Sequence, residues 1–324
     1  MDSEVTGTTS EGQPNGTPHS PRIVENIFSN DRGLRAGWRL LIYMAIVIGC
    51  SIPINVAARH FFEPMSGTPS LTAFFFQEIS SFLLVFGSAL IMSKIEKRSP
   101  GAYGLPAQGA FGKKFWQGWL LGLVEVSVLI GAIAVFRGYS FGDLAVHGAA
   151  LSRWGFTWAI FFVFVGLFEE FLFRGYTQFT LSDGVGFWPA AVLLSAGFGA
   201  VHLTNPGEGW VGAASVVMIG LVFAFALRRT GNLWLVVGWH ASFDFGETFL
   251  FSVPNSGLVF DGHLSNATLH GARWLTGGTV GPEGSVFSFL TMAAAAVFIH
   301  YVFPAKKSES PSNVTTSLES QSAQ

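Results

Sequence analysis

The segment Phe168-Glu169-Glu170-Phe171-Leu172-Phe173-Arg174 follows the run Trp158-Ala159-Ile160-Phe161-Phe162-Val163-Phe164-Val165-Gly166-Leu167. The run reads as a helix in hydrocarbon, where an ionised carboxylate costs several kcal/mol. Two adjacent acids in such surroundings are functional candidates, so their partners decide the reading. Residues four apart share a helix face, so Glu170 and Arg174 pair, while Glu169 points about 100° away. One acid is structural and the other is left for chemistry. The plainer alternative is a buried ion pair that keeps two helices in register.

Composition puts the whole chain in the same environment. The 324 residues are 50% hydrophobic and 12% charged, with a mean hydropathy of +0.46. Soluble domains carry about 25% charged residues. Half that charge, with 33 Phe and 10 Trp, predicts an all-α, polytopic transmembrane helical bundle in contact with the lipid bilayer. The net charge of -2 offers no attraction to nucleic acid. The lone Cys50 allows neither an intrachain disulfide nor a cysteine metal site. Residues 1–21 are polar and lack the apolar core of a signal peptide.

About eight runs are long enough to cross a bilayer, which takes about 17–25 residues. They cover 38–58, 71–93, 115–136, 157–181, 188–204, 210–228, 232–252 and 285–303. The fifth and sixth are short and joined by Thr204-Asn205-Pro206-Gly207-Glu208-Gly209, consistent with a hairpin. Thirteen Lys and Arg fall on one side, including Arg35, Arg39, Lys94, Arg98, Lys113, Lys114, Arg228 and Arg229. Four fall on the other: Arg59, Arg137, Arg153 and Arg273. By the positive-inside rule both termini are cytoplasmic. The domain expectation is a disordered cytoplasmic tail over 1–30, a transmembrane domain over 31–304 with its motif core at 155–250, and a second disordered tail over 305–324.

Two histidines lie well inside these spans. His202 ends Phe198-Gly199-Ala200-Val201-His202, and continues a small-residue face made by Ala191, Ser195 and Gly199. His240 and Asp244 stand one turn apart, as an imidazole and its orienting carboxylate do. At 1.5 Å per residue, Glu170 lies roughly 17 Å, His202 roughly 21 Å, His240 roughly 12 Å and Asp244 roughly 18 Å from the cytoplasmic surface. Four costly residues from three helices agree in depth, which favours a shared polar cavity. Phe198 and the other aromatics read as packing, and Glu78 and Glu125 as helix packing or cavity lining.

No serine or cysteine accompanies these groups in a motif, so the residues leave two ways to activate water. In one, Glu169, His202 and His240 hold a divalent metal such as zinc. In the other, Glu169 is the general base on a water shared with His202, and His240 with Asp244 stabilises the oxyanion. Both lead to amide hydrolysis. The absence of a compact His-x-x-x-His pair favours the metal-independent route.

The set Glu169-Glu170-x-x-x-Arg174, Phe198-x-x-x-His202 and His240-x-x-x-Asp244 resembles the CPBP family. That family groups type II CAAX prenyl endopeptidases with bacteriocin-processing and immunity (Abi) proteins. The resemblance covers roughly residues 155–250. It implies a helical intramembrane endopeptidase acting on a membrane-associated peptide or protein, with a cavity open to the cytoplasm. It also implies Glu169 and His202 as the water-activating pair, His240 and Asp244 as the supporting pair, and Glu170, Arg174 and Phe198 in structural roles. Metalloprotease and glutamate-dependent chemistry have both been described for the family. Asp244 stands where the eukaryotic prenyl-protein branch has Asn. A bacterial inner membrane is the expected location. The rivals are a proton-coupled transporter or channel built on the same polar cluster, and a non-catalytic immunity or scaffold member.

Overall fold

A computed structural model describes residues 28–30, 33–62 and 71–304. The expectations for the tails at 1–27 and 305–324 lie outside the described residues. The architecture is a helical bundle. We number its helices α1 (Ala36–Phe62), α2 (Leu71–Glu96), α3 (Lys113–Val135), α4 (Ala149–Arg174) and α5 (Tyr176–Val185). They continue as α6 (Phe187–His202), α7 (Trp210–Thr230), α8 (Leu233–Phe245), α9 (Arg273–Thr276) and α10 (Val286–Val302). The described strands are two-residue pieces, such as Tyr139–Ser140 paired antiparallel with Thr268–Leu269.

Each of the eight apolar runs forms helix, and five helical stretches are long and apolar enough to cross a membrane. The sixth run is among them, as α7, whereas α6, α8 and α10 are shorter. The molecule is an integral membrane protein. Two boundaries differ from the sequence reading. The fourth span begins at Ala149 rather than 157 and is interrupted at Gly175 before continuing as α5. A β-carbon at Gly175 would overlap the Phe171 carbonyl oxygen, so the interruption needs a residue without one. The seventh span ends as α-helix at Phe245 and continues as one π-helical turn, Gly246–Leu250.

The bundle is organised around α8. It is apolar all round and buries every residue from Leu233 to Ser242, as a helix enclosed by protein does. It starts on Asn232, whose side chain accepts from the Trp234 amide at 2.8 Å. Its closest neighbour is α3, where Gly118 and Gly122 form a small-xxx-small face. A β-carbon at Gly118 would overlap the Leu235 carbonyl, and one at Gly122 the Trp239 carbonyl. Backbone-to-backbone contact thus fixes the depth and rotation of α8, and with them His240. The outward faces of α1, α2 and α3 carry exposed Leu41, Ile48, Ile52, Leu83, Leu120 and Val124.

The two ends of the bundle differ. At the cation-rich end, Arg39 bridges Glu96 at 2.7 Å and Asp183 at 2.9 Å, tying α1 to α2 and α5. Arg229 meets His300 at 2.7 Å at the same end. At the opposite, loop end, the α6–α7 connection is clamped to the 251–285 segment by Asn205 Nδ2 donating to the Ser256 carbonyl at 2.9 Å.

Replacing Gly122 with valine should push α8 off α3. We expect a loss of about 1–3 kcal/mol, the usual cost of overpacking, read as a lower unfolding temperature in detergent. Val124→Ala, on the exposed face of the same helix, should leave that temperature unchanged.

Candidate active site

A buried charge relay joins α4 to α8. Glu170 and Arg174, 0% and 1% exposed, form the pair expected from their spacing, with Arg174 Nη1 donating to Glu170 Oε1 at 3.1 Å. The same oxygen accepts from Nδ1 of His240 at 2.8 Å. Glu170 thus holds His240 through Nδ1, while Asp244 faces the opposite ring nitrogen. Asp244 Oδ2 stands 3.4 Å from His240 Nε2 and Glu169 Oε2 stands 3.7 Å from it, both beyond good hydrogen-bond length. An (i, i+4) spacing permits a contact; here the shorter one comes from a neighbouring helix.

Arg174 is also held from the side of α6 and α7. Its guanidinium stacks on the Phe198 ring, 4.2 Å from the centroid. Gly220 of α7 leaves the room, since a β-carbon there would overlap Arg174 Nη2 and stand 2.9 Å from Ser195 Oγ. Phe198 in turn meets the His202 ring edge-on at 4.7 Å. It is a packing residue at the centre of the site, consistent with its structural assignment. Ser195 and Gly199 do face α7, the neighbour that the small-residue face of α6 called for.

His202 bonds through Nδ1 to the Phe198 carbonyl at 2.8 Å. A carbonyl only accepts, so Nδ1 carries the proton and Nε2 keeps its lone pair. Glu169, His202, His240 and Asp244 all line one cavity of about 270 Å³. The agreement in depth read from the sequence thus corresponds to a common space. Among the described residues, no group of three His, Cys, Asp or Glu side chains is arranged to hold a metal ion. The trio Glu169, His202 and His240 does not make such a site here.

Other groups around this space were not read as site residues. Glu78 and Glu125 line the cavity, and Glu125 Oε2 accepts from Trp239 Nε1 at 2.6 Å. Glu283, Ser256 and Asn205 line it from the loops, and no periodic pattern marks loop residues in a sequence. Glu283 Oε2 accepts from the Ser256 amide and hydroxyl, both at 2.8 Å. Glu247 is wholly buried in the π-turn and neither of its carboxyl oxygens has a hydrogen-bond partner. None of the cavity-lining residues comes from the cation-rich end. The lining runs from Glu169 to Asn205, Ser256, Leu258, Phe260 and Glu283 at the loop end.

The fold and the site together define a polytopic helical membrane protein that gathers an acid–imidazole cluster in one cavity. Residues 151–246 match the family model described as type II CAAX prenyl endopeptidase Rce1-like. The matched residues include all seven site residues read from the sequence, and they lie within the membrane bundle. No curated protein matches the chain.

Burial, and next the charge of Asp244, push the Glu283 carboxyl up from its ordinary 4.5 to about 8. The folded protein then binds the more protons between pH 4.5 and about 8, so stability falls across that window and levels off above it. Glu283→Gln keeps an acceptor for Ser256 and removes the titration. We expect unfolding temperatures recorded from pH 5 to 9 to decline less in this variant than in the wild type.

Proposed function

We propose that the protein is an intramembrane endopeptidase that hydrolyses a peptide bond in a membrane-associated substrate. The observation that carries the reading is the convergence of Glu169, His202 and His240, from three helices, on one enclosed cavity. Glu169 is the general base. Its carboxylate takes a proton from a water that also donates to the lone pair on His202 Nε2, and the hydroxide attacks the substrate carbonyl. His240, held through Nδ1 by Glu170, donates from Nε2 to the developing oxyanion. Asp244 faces the same nitrogen at 3.4 Å. Collapse of the tetrahedral intermediate breaks the C–N bond, and the proton carried by Glu169 passes to the leaving amine. Arg174 holds Glu170 in place.

The cavity's position bears on where the substrate lies. The cation bias supports cytoplasmic termini, and the cavity lining ends in loops on the opposite side of the bundle. Our reading is that substrates are drawn from the non-cytoplasmic side, against the cytoplasmic opening implied by the family resemblance.

Glu169→Gln and His202→Ala should lower kcat by about 10²–10⁴-fold, the usual contribution of a positioned acid or base, while the protein stays monodisperse and folded in detergent. Cleavage is measured on a membrane-peptide library, and full activity in either variant rejects the mechanism. A chelator should leave the rate unchanged; inhibition reversed by added zinc would replace the water-only route. In vesicles of defined orientation, peptide supplied on the side of the 251–285 loop should be cleaved, and peptide supplied on the side of the termini should not.

A further inference from the structure

The cavity holds more acid than the hydrolytic reaction uses. Besides Glu169 and Asp244, the carboxyl groups of Glu78, Glu125 and Glu283 line it. No Lys or Arg is among the lining residues. The Arg174 guanidinium donates through Nη1 to Glu170 and is covered by the Phe198 ring. Glu247 adds a further buried acid within electrostatic reach of Glu125, Asp244 and Glu283.

Two of these groups each keep one carboxyl oxygen without a hydrogen-bond partner. Glu125 is 5% exposed, and its Oε1 accepts no hydrogen bond, although Oε2 is taken by Trp239. Glu78 Oε2 is likewise buried and unpartnered. An unpaired acceptor at the wall of an otherwise enclosed space is costly unless a donor arrives from outside the chain. The group that complements several carboxyl groups at once, in surroundings of low dielectric, is a cation with several N–H donors.

We propose that this part of the cavity is an acidic subsite that receives an arginine or lysine side chain of the substrate, close to the bond attacked with the help of Glu169. The proposal rests on the endopeptidase reading given above. It goes beyond that reading because Glu78, Glu125 and Glu283 all lie outside residues 151–246, the segment matched by the family model. The flanking helix α3, helix α2 and the outer loop thus supply the specificity, and the family segment supplies the reaction.

The test uses the full-length protein in detergent and a neutral fluorescent decapeptide in which one arginine is walked through every position. A matched set carries citrulline, which keeps the shape and loses the charge. Binding is measured by anisotropy on Glu169→Gln, so that turnover does not interfere. At one or two adjacent positions the arginine peptide should bind at least tenfold tighter than its citrulline partner. Adding Glu125→Gln or Glu283→Gln should erase that advantage and leave citrulline binding unchanged. The same two substitutions in the otherwise wild-type protein should raise KM for the arginine peptide without changing kcat. No position with an arginine advantage, or no binding of any peptide, overturns the proposal. An equal fall in kcat on both peptides overturns it too, because the carboxyl groups would then serve the fold or the reaction. Failure of the endopeptidase reading is separate: the wild type would cleave nothing, while the binding comparison would still decide the subsite.

Discussion

A single carboxylate oxygen, Glu170 Oε1, is shared by Arg174 on its own helix and His240 on α8. Burying these groups is expensive, and their mutual attraction repays the cost only when the geometry is good. The surrounding structure can be read as what that geometry needs. Gly118 and Gly122 let α8 sit against α3 at the depth where His240 meets Glu170. Gly220 and Ser195 open the space that Arg174 fills, and Phe198 closes it. Loss of any one partner leaves a charge or a donor unpaired in a dry interior, which costs more than the interaction returns when whole.

The same oxygen separates the roles of two neighbouring acids. Adjacent residues on a helix point about 100° apart, so when Glu170 turns towards α8, Glu169 turns into the cavity. Glu170 is fully buried, whereas Glu169 lines the open space. Exchanging the two would place the structural charge in the cavity and leave Arg174 facing nothing. The doubled acid is therefore not redundant.

The parts of this arrangement legible in the sequence are those governed by helix periodicity. Long apolar runs locate helices because a bilayer demands about 20 such residues, and the pairing of Glu170 with Arg174 follows from four-residue spacing. The second partner of His240, Glu170, was not legible, because it depends on the crossing of α4 with α8, whereas Asp244 lies one turn along the same helix. Gly118-x-x-x-Gly122 is a close-packing signal of the same periodic kind. Glu283, Ser256 and Asn205 sit in loops, where position depends on tertiary contacts and leaves no periodic trace. The break at Gly175 and the π-turn after Phe245 likewise arise from local backbone crowding that an apolar run does not reveal.

Orientation is where two sequence expectations meet and cannot both hold. Cytoplasmic termini follow from the bias of Lys and Arg, and a cytoplasmic cavity follows from the family resemblance. In this bundle the residues that line the cavity end at the loop face, opposite to Arg39, Arg98 and Arg229. The charge bias is a property of this chain's own residues and acts directly on insertion, while the cavity's direction is carried over by analogy. Physical weight therefore falls on the bias. The acidic lining lies at the end of the bundle that carries the outer loop, away from Arg39, Arg98 and Arg229.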